Sequence, residues 1–129
     1  TVIDKDGLVI RNYICNEPGV GDNESSVLTL LHYKNFSMLF TGDSGVDTFM
    51  KLKNYLPQNI TVLKVGHHGA NGVVNKEMLE YLNPKYALIS TGINKFGHPT
   101  IYTVAILRDR TILRTDINNS IRSASDGFG

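Results

Sequence analysis

The 129-residue chain has a single cysteine, Cys15, and no tryptophan. One thiol excludes an internal disulfide and any structural zinc site built on paired cysteines. No apolar run approaches the ~18 residues that a membrane helix needs, and no stretch has the layout of a signal peptide. Neither sign of charge dominates, with 13 Lys and Arg against 12 Asp and Glu, so the whole molecule is not an obvious polyanion binder. The phosphate-binding and dinucleotide-binding glycine patterns are missing. So is the Gly-x-Ser-x-Gly of a nucleophile elbow. No basic-aromatic sheet pattern marks a single-strand binding module.

What is present is ordinary globular composition with an uneven distribution of charge. Residues 1–50 hold three basic residues against seven acids, and residues 51–129 hold ten against five. A polyanionic ligand would approach the later half. The length suits one small domain with a real core. The chain starts at Thr1 rather than Met and stops at Gly127-Phe128-Gly129 without finishing an element. It reads as a piece of something longer, whose remainder could carry targeting information.

Apolar patterning predicts strands over 7–14, 26–33 and 36–42, with a tight turn at Lys34-Asn35 and a flexible loop over 15–26. Helical spacing of Val46, Phe49, Met50, Leu52, Tyr55 and Leu56 predicts a helix over 45–56, stopped by Pro57. Further expectations are a strand over 60–66, a helix over 75–83 ending before Pro84, and a strand over 85–91. Then follow a helix whose first turn holds Pro99 and a last hairpin pairing 110–116 with 120–125. Strands linked by helical crossovers predict an α/β layered sheet with flanking helices.

Three strands run into glycine-bearing loops that carry titratable groups: Asp43 after "MLFTG", His67 and His68 after "TVLKVG", and His98 in "KFGHP" after "ALISTG". If these strands are parallel, all four residues share one edge of the sheet, where α/β proteins bind ligands. Each also has a plainer explanation. Asp43 or its neighbour Ser44 could cap the following helix. Backbone groups in a turn could satisfy the adjacent histidines, and His98 could mark only a helix entry. Adjacent residues point in different directions, so at most one of His67 and His68 should coordinate a given ion. Gly66 and Gly69 allow a tight backbone path beside a ligand. His32, inside a predicted strand, reads as surface or structural.

In order along the chain, "NESSVLTL" (23–30), "LFTGD" (39–43), "KVGHHGA" (64–70), "NPKYALISTG" (83–92), "FGHP" (96–99) and "LRTD" (113–116) resemble the metallo-β-lactamase superfamily. Within it they most resemble the hydrolase-like domain of the ComEC competence proteins of DNA uptake. The match extends over about residues 8–122. Ala70 stands where that family usually has Ser, and Asn118-Asn119 where a Gly often follows. The superfamily's main metal motif, His-x-His-x-Asp-His, is absent.

The resemblance implies that residues 1–129 are one fragment, the C-terminal half of an αββα sandwich. It implies two divalent ions, zinc or manganese, in the intact parent, with Asp43 bridging them and His67 binding the second. His68 and His98 would contact or protonate the substrate, and Asn23, Ser25 and Gly69 would lie against it. Asn23 and Ser25 fall where relatives often place another histidine ligand. The implied activity is cleavage of phosphodiester bonds in DNA, single-stranded DNA being the expected partner. Alternatives are a small-molecule metallohydrolase and a non-catalytic DNA-contacting or scaffolding domain. Half a sandwich leaves one apolar sheet face uncovered, so the absent N-terminal half or a second copy of the chain should cover it. The parent is expected to be bacterial, extracytoplasmic or membrane-attached, with no membrane contact from this segment itself.

Overall fold

The computed structural model describes residues 2–14 and 27–127. The predicted loop over 15–26, with Cys15, Asn23 and Ser25, lies outside the described residues. Seven strands form a single mixed sheet in chain order. Strands β1 (Val2–Lys5), β2 (Leu8–Tyr13), β3 (Leu28–Tyr33) and β4 (Phe36–Phe40) make an antiparallel meander. Strands β5 (Val62–Lys64), β6 (Tyr86–Ile89) and β7 (Thr111–Arg114) then add in parallel, beginning on β4. The helices are α1 (Val46–Leu52), α2 (Lys76–Leu82), α3 (Ile101–Ile106) and the short α4 (Thr115–Asn118). The α/β layered sheet expected from the strand-helix alternation is therefore the architecture found.

The local chemistry explains most element ends. Lys34 takes a left-handed φ of 51° in the predicted tight turn, and Tyr33 pairs with Phe36 across it. Strand β1, which the sequence reading missed, is joined to β2 through Asp6-Gly7 at φ 53° and 83°. Asp-Gly between two apolar stretches is among the strongest short hairpin signals, because both residues tolerate positive φ. Asn75 caps α2 by accepting a hydrogen bond from the Met78 amide at 2.8 Å. Asn83 ends that helix in the left-handed region, just before Pro84.

Four expectations need correction. The helix predicted over 45–56 is α1 followed by a single 3-10 turn at Lys53–Tyr55. Neither Asp43 nor Ser44 caps α1: its N-cap is Gly45, without a side-chain cap bond, and Ser44 Oγ donates instead to Thr41 O at 2.6 Å. Pro99 does not sit in the first turn of α3. Thr100 is the N-cap, its hydroxyl accepting from the Thr103 amide at 3.2 Å, and the helix starts after it. The last hairpin does not form. Asn118 Oδ1 accepts from the Arg114 amide at 2.9 Å, closing α4, and Asn119 turns the chain aside at φ 60°. Residues 121–127 pair with no strand.

One face of the sheet carries the core. Leu30, Leu39, Leu63, Ala87 and Ile89 pack against Phe49 of α1, Met78, Leu79 and Leu82 of α2, and Leu107 after α3. Side chains alternate along a strand, so Met38 and Val62, next to Leu39 and Leu63, point to the other face. Both are nonetheless buried and lie outside that core cluster. The segment after α4 accounts for part of this. Arg122, Ser123 and Ala124 line a cleft with Phe36, Val62, Tyr86 and Leu88, and the Asn35 amide donates to Gly127 O at 2.7 Å. The chain thus returns across the second face to the β3–β4 turn. Phe40 and Tyr86 remain about 40% exposed there, at 36% and 42%.

Candidate functional site

Because β4, β5, β6 and β7 are parallel neighbours, their carboxyl ends lie side by side along one edge of the sheet. Asp43 follows β4, His67 and His68 follow β5, and His98 lies in the loop after β6. The condition under which these residues share an edge is met. The first two loops are fastened to each other by one side-chain and one backbone hydrogen bond. Thr41 Oγ1 donates to Lys64 O at 2.9 Å, and the His67 amide donates to Gly42 O at 2.9 Å. Gly66 fills the space between. A Cβ there would lie 2.6 Å from Ser44 O and 2.9 Å from Thr41 Oγ1, so no larger residue fits without moving backbone.

His67 and His68 both occupy the left-handed region, at φ 43° and 54°. Two consecutive non-glycine residues in that region are unfavourable and persist only where the surroundings over-determine them. Here the Gly69 and Ala70 amides close back onto Gly66 O and His67 O at 2.9 and 3.0 Å. The Thr100 amide donates to Gly69 O at 3.0 Å, bringing in the third loop. The His67 ring neighbours both other imidazoles. Ring centres are 5.5 Å apart for His67 and His98, and 6.4 Å for His67 and His68.

His67 is half-buried and His68 exposed. His68 Nδ1 lies 2.6 Å from Ser90 O. A carbonyl oxygen only accepts, so Nδ1 carries the proton and Nε2 of the neutral ring is left as the acceptor. His68 is therefore an oriented base or ligand nitrogen rather than a freely turning surface ring.

Several residues that build this edge were not singled out from the sequence. Asn94 organises the loop after β6. Its Oδ1 accepts from the Phe96 and His98 amides at 3.1 and 3.0 Å, while its Nδ2 donates to His98 O at 2.7 Å and Gly92 O at 2.9 Å. Thr115 pins the loop's start to the end of β7: its Oγ1 donates to Thr91 O at 2.6 Å and accepts from the Thr91 amide at 2.8 Å. Lys64 lies next to the Asp43 loop. Burial lowers its ammonium below the usual lysine range, and the Asp43 charge opposes that shift.

In the "LRTD" stretch, Arg114 grips Asp116 through two hydrogen bonds, at 3.0 and 2.6 Å. That contact raises the arginine and lowers the carboxyl relative to their ordinary values. His32 lies on the antiparallel side of the sheet, exposed, with its Nε2 2.6 Å from Lys34 O, as a surface residue should be.

A catalytic zinc centre takes about three protein ligands and a water. Among the described residues no three His, Cys, Asp or Glu side chains are grouped to hold a metal ion. Three imidazoles approach one another here without converging as ligands. The described residues therefore do not make a complete metal centre. Nor is any helix among them long and apolar enough to cross a membrane.

No protein-family model matches the chain. Over 104 residues it is 36% identical to ComE operon protein 3 of Bacillus subtilis (strain 168), covering 78% of this chain and 13% of that protein. Over 108 residues it is 30% identical to Competence protein ComA of Neisseria gonorrhoeae, covering 80% of this chain and 16% of that protein. The chain thus spans less than a fifth of the length of either relative. Among solved structures, a mutant of CmlA β-hydroxylase superposes with a TM-score of 0.55 at 13% identity, over 88% of this chain and 31% of that one. At that identity the likeness concerns the fold alone, which is the metallo-β-lactamase fold. The strand order, the clustered loops and both relatives agree with the resemblance read from the sequence: the chain belongs to the ComEC family of competence proteins.

Proposed function

We propose that this chain serves DNA uptake, as one wall of a metal-dependent phosphodiesterase site whose other wall lies elsewhere in a longer bacterial protein, extracytoplasmic or membrane-attached. The observation that carries this reading is the placement of Asp43, His67, His68 and His98 in loops at the carboxyl ends of adjacent parallel strands. In this reading the chain is the C-terminal half of the domain. Asp43 and His67 are its metal donors, for zinc or manganese ions completed by residues beyond it. His98, packed beside His67, protonates the departing oxygen of the substrate, and His68 Nε2 contacts the phosphate or its water. Gly69 lets the backbone approach that substrate. Asn23 and Ser25 are assigned to substrate contact by sequence position.

Two donors are too few for tight binding, so the chain alone should bind zinc or manganese weakly. Titration calorimetry is expected to show no site of micromolar or better affinity. A micromolar site that vanishes in Asp43→Ala would overturn this. In a longer protein that includes the upstream sequence, metal-dependent cutting of single-stranded DNA, lost in Asp43→Ala, tests the activity. Preference for generic esters over DNA would point to a small-molecule hydrolase instead. A non-catalytic DNA-contacting role is the second reading. It is favoured by the lack of a complete donor group among the described residues.

The half-exposed Phe40 and Tyr86 on the second sheet face suit a second copy of the chain when the rest of the domain is missing. Light scattering at high concentration should give twice the chain's mass. A clean monomer would count against dimerisation.

A further inference from the structure

The loop after β6 combines order with exposed apolar surface. Asn94 ties it down with its hydrogen bonds to residues 92–98. Yet Phe96 is 80% exposed, and its ring lies nearly parallel to His98, at 5.7 Å and 28°. Phe96 thus presents an aromatic face to water from a loop whose path is fixed. Beside it is a cavity of about 350 Å³, lined by His68, Ser90, Gly92, Asn94 and Phe96. A Cβ placed on Gly92, at its edge, would meet nothing within 4 Å, so the cavity is open there. Exposed Lys95 stands next to Phe96 in the loop.

A fixed aromatic face, an open cavity edged by backbone and amide groups, and a neighbouring cation match what an unstacked nucleobase and its phosphate require. We propose that the Phe96–His98 stack and the cavity beside it form a nucleobase-binding subsite, with Phe96 as the stacking face and Lys95 meeting the flanking phosphate. This rests on the reading of the site as one that acts on nucleic acid, and it adds how the strand is held. Stacking on a ring tolerates any base, so the subsite grips a single strand without choosing its sequence. A paired duplex, with its bases already stacked, is disfavoured.

The test is fluorescence anisotropy of this chain with a dye-labelled single-stranded oligonucleotide and a matched abasic oligonucleotide of equal charge. EDTA is present, so metal plays no part. Wild type should bind the intact strand about tenfold more tightly than the abasic one. Phe96→Ala should lose about that factor on the intact strand and nothing on the abasic strand, and Phe96→Tyr should retain it. An unchanged thermal midpoint shows that the variants fold. Equal affinity for the two strands, equal loss on both in Phe96→Ala, or no binding to either overturns the subsite. The cleavage assay on the longer protein reports separately. A nuclease that cuts intact and abasic strands alike keeps the phosphodiesterase reading without the subsite. Base-dependent binding without cleavage keeps the subsite and removes the hydrolase.

Discussion

Gly69→Ala should destabilise this chain by about 3 kcal/mol, from two additive causes. At φ +82° a side chain is in the left-handed region, which costs roughly 1–2 kcal/mol for an L-residue. In addition, its Cβ would lie 2.6 Å from Pro99 Cβ and 3.0 Å from Pro99 Cα. Overpacking against backbone adds about 1–3 kcal/mol. Gly72→Ala is the internal control. It has nearly the same φ, +78°, but nothing within 4 Å of the new Cβ, so only the conformational part applies. Urea denaturation of both variants isolates the cost of the close approach. Equal losses would mean that the loop of His67 and His68 is not packed on the loop of His98. If it is packed, Gly69→Ala should also move the imidazole NMR signals of His68 and His98, and Gly72→Ala should leave them in place.

The second large effect is expected in the core, beneath α1. Phe49 is 1% exposed and meets the Tyr81 ring edge-on, at 5.8 Å and 65°. Tyr81 in turn donates from its hydroxyl toward Leu56 O at 2.7 Å and Lys53 O at 2.9 Å, fixing the end of α1 and its 3-10 turn. Phe49→Ala should cost about 3–5 kcal/mol, the range for emptying an aromatic position in a core. Against the 5–15 kcal/mol typical of a whole domain, that leaves the chain near its unfolding threshold. A fall in the urea midpoint with an unchanged slope is the expected result. A loss below about 1 kcal/mol would show that α1 is not seated on the sheet as described.

The parallel half of the molecule could be read from its residues because its signals agree across levels. Runs such as "TVLKV" and "YALIS" are mostly apolar, each ends in a glycine loop, and each is separated from the next by a helix with its own punctuation. Given parallel strands, that pattern puts Asp43, His67, His68 and His98 on one edge, and the pairing of β4, β5 and β6 meets the condition. What held the edge together was less visible. Asn94 in "GINKFGHP" looks like an ordinary turn residue, and its hydrogen bonds to Gly92, Phe96 and His98 depend on where the loop folds back. Thr115 joins β6 to β7 across 24 positions, which no local pattern encodes. The failed hairpin has a local cause: "SIRSAS" alternates like a strand, but Asn118 bonds Arg114 first and redirects the chain. Asp6-Gly7 was a legible turn that the strand reading at 7–14 absorbed.

The segment that returns across the second sheet face is also an intramolecular competitor. Anything that seats a sheet there, whether the rest of the domain or another copy, must first displace the segment that brings Arg122, Ser123 and Ala124 to the cleft beside Phe36, Val62 and Tyr86 and ties Gly127 to Asn35. A tethered occupant acts at an effective concentration on the order of millimolar, so a free partner must bind that face more tightly than a contact between separate chains would otherwise require. Removing the tail after Asn119 should lower the concentration at which dimers form.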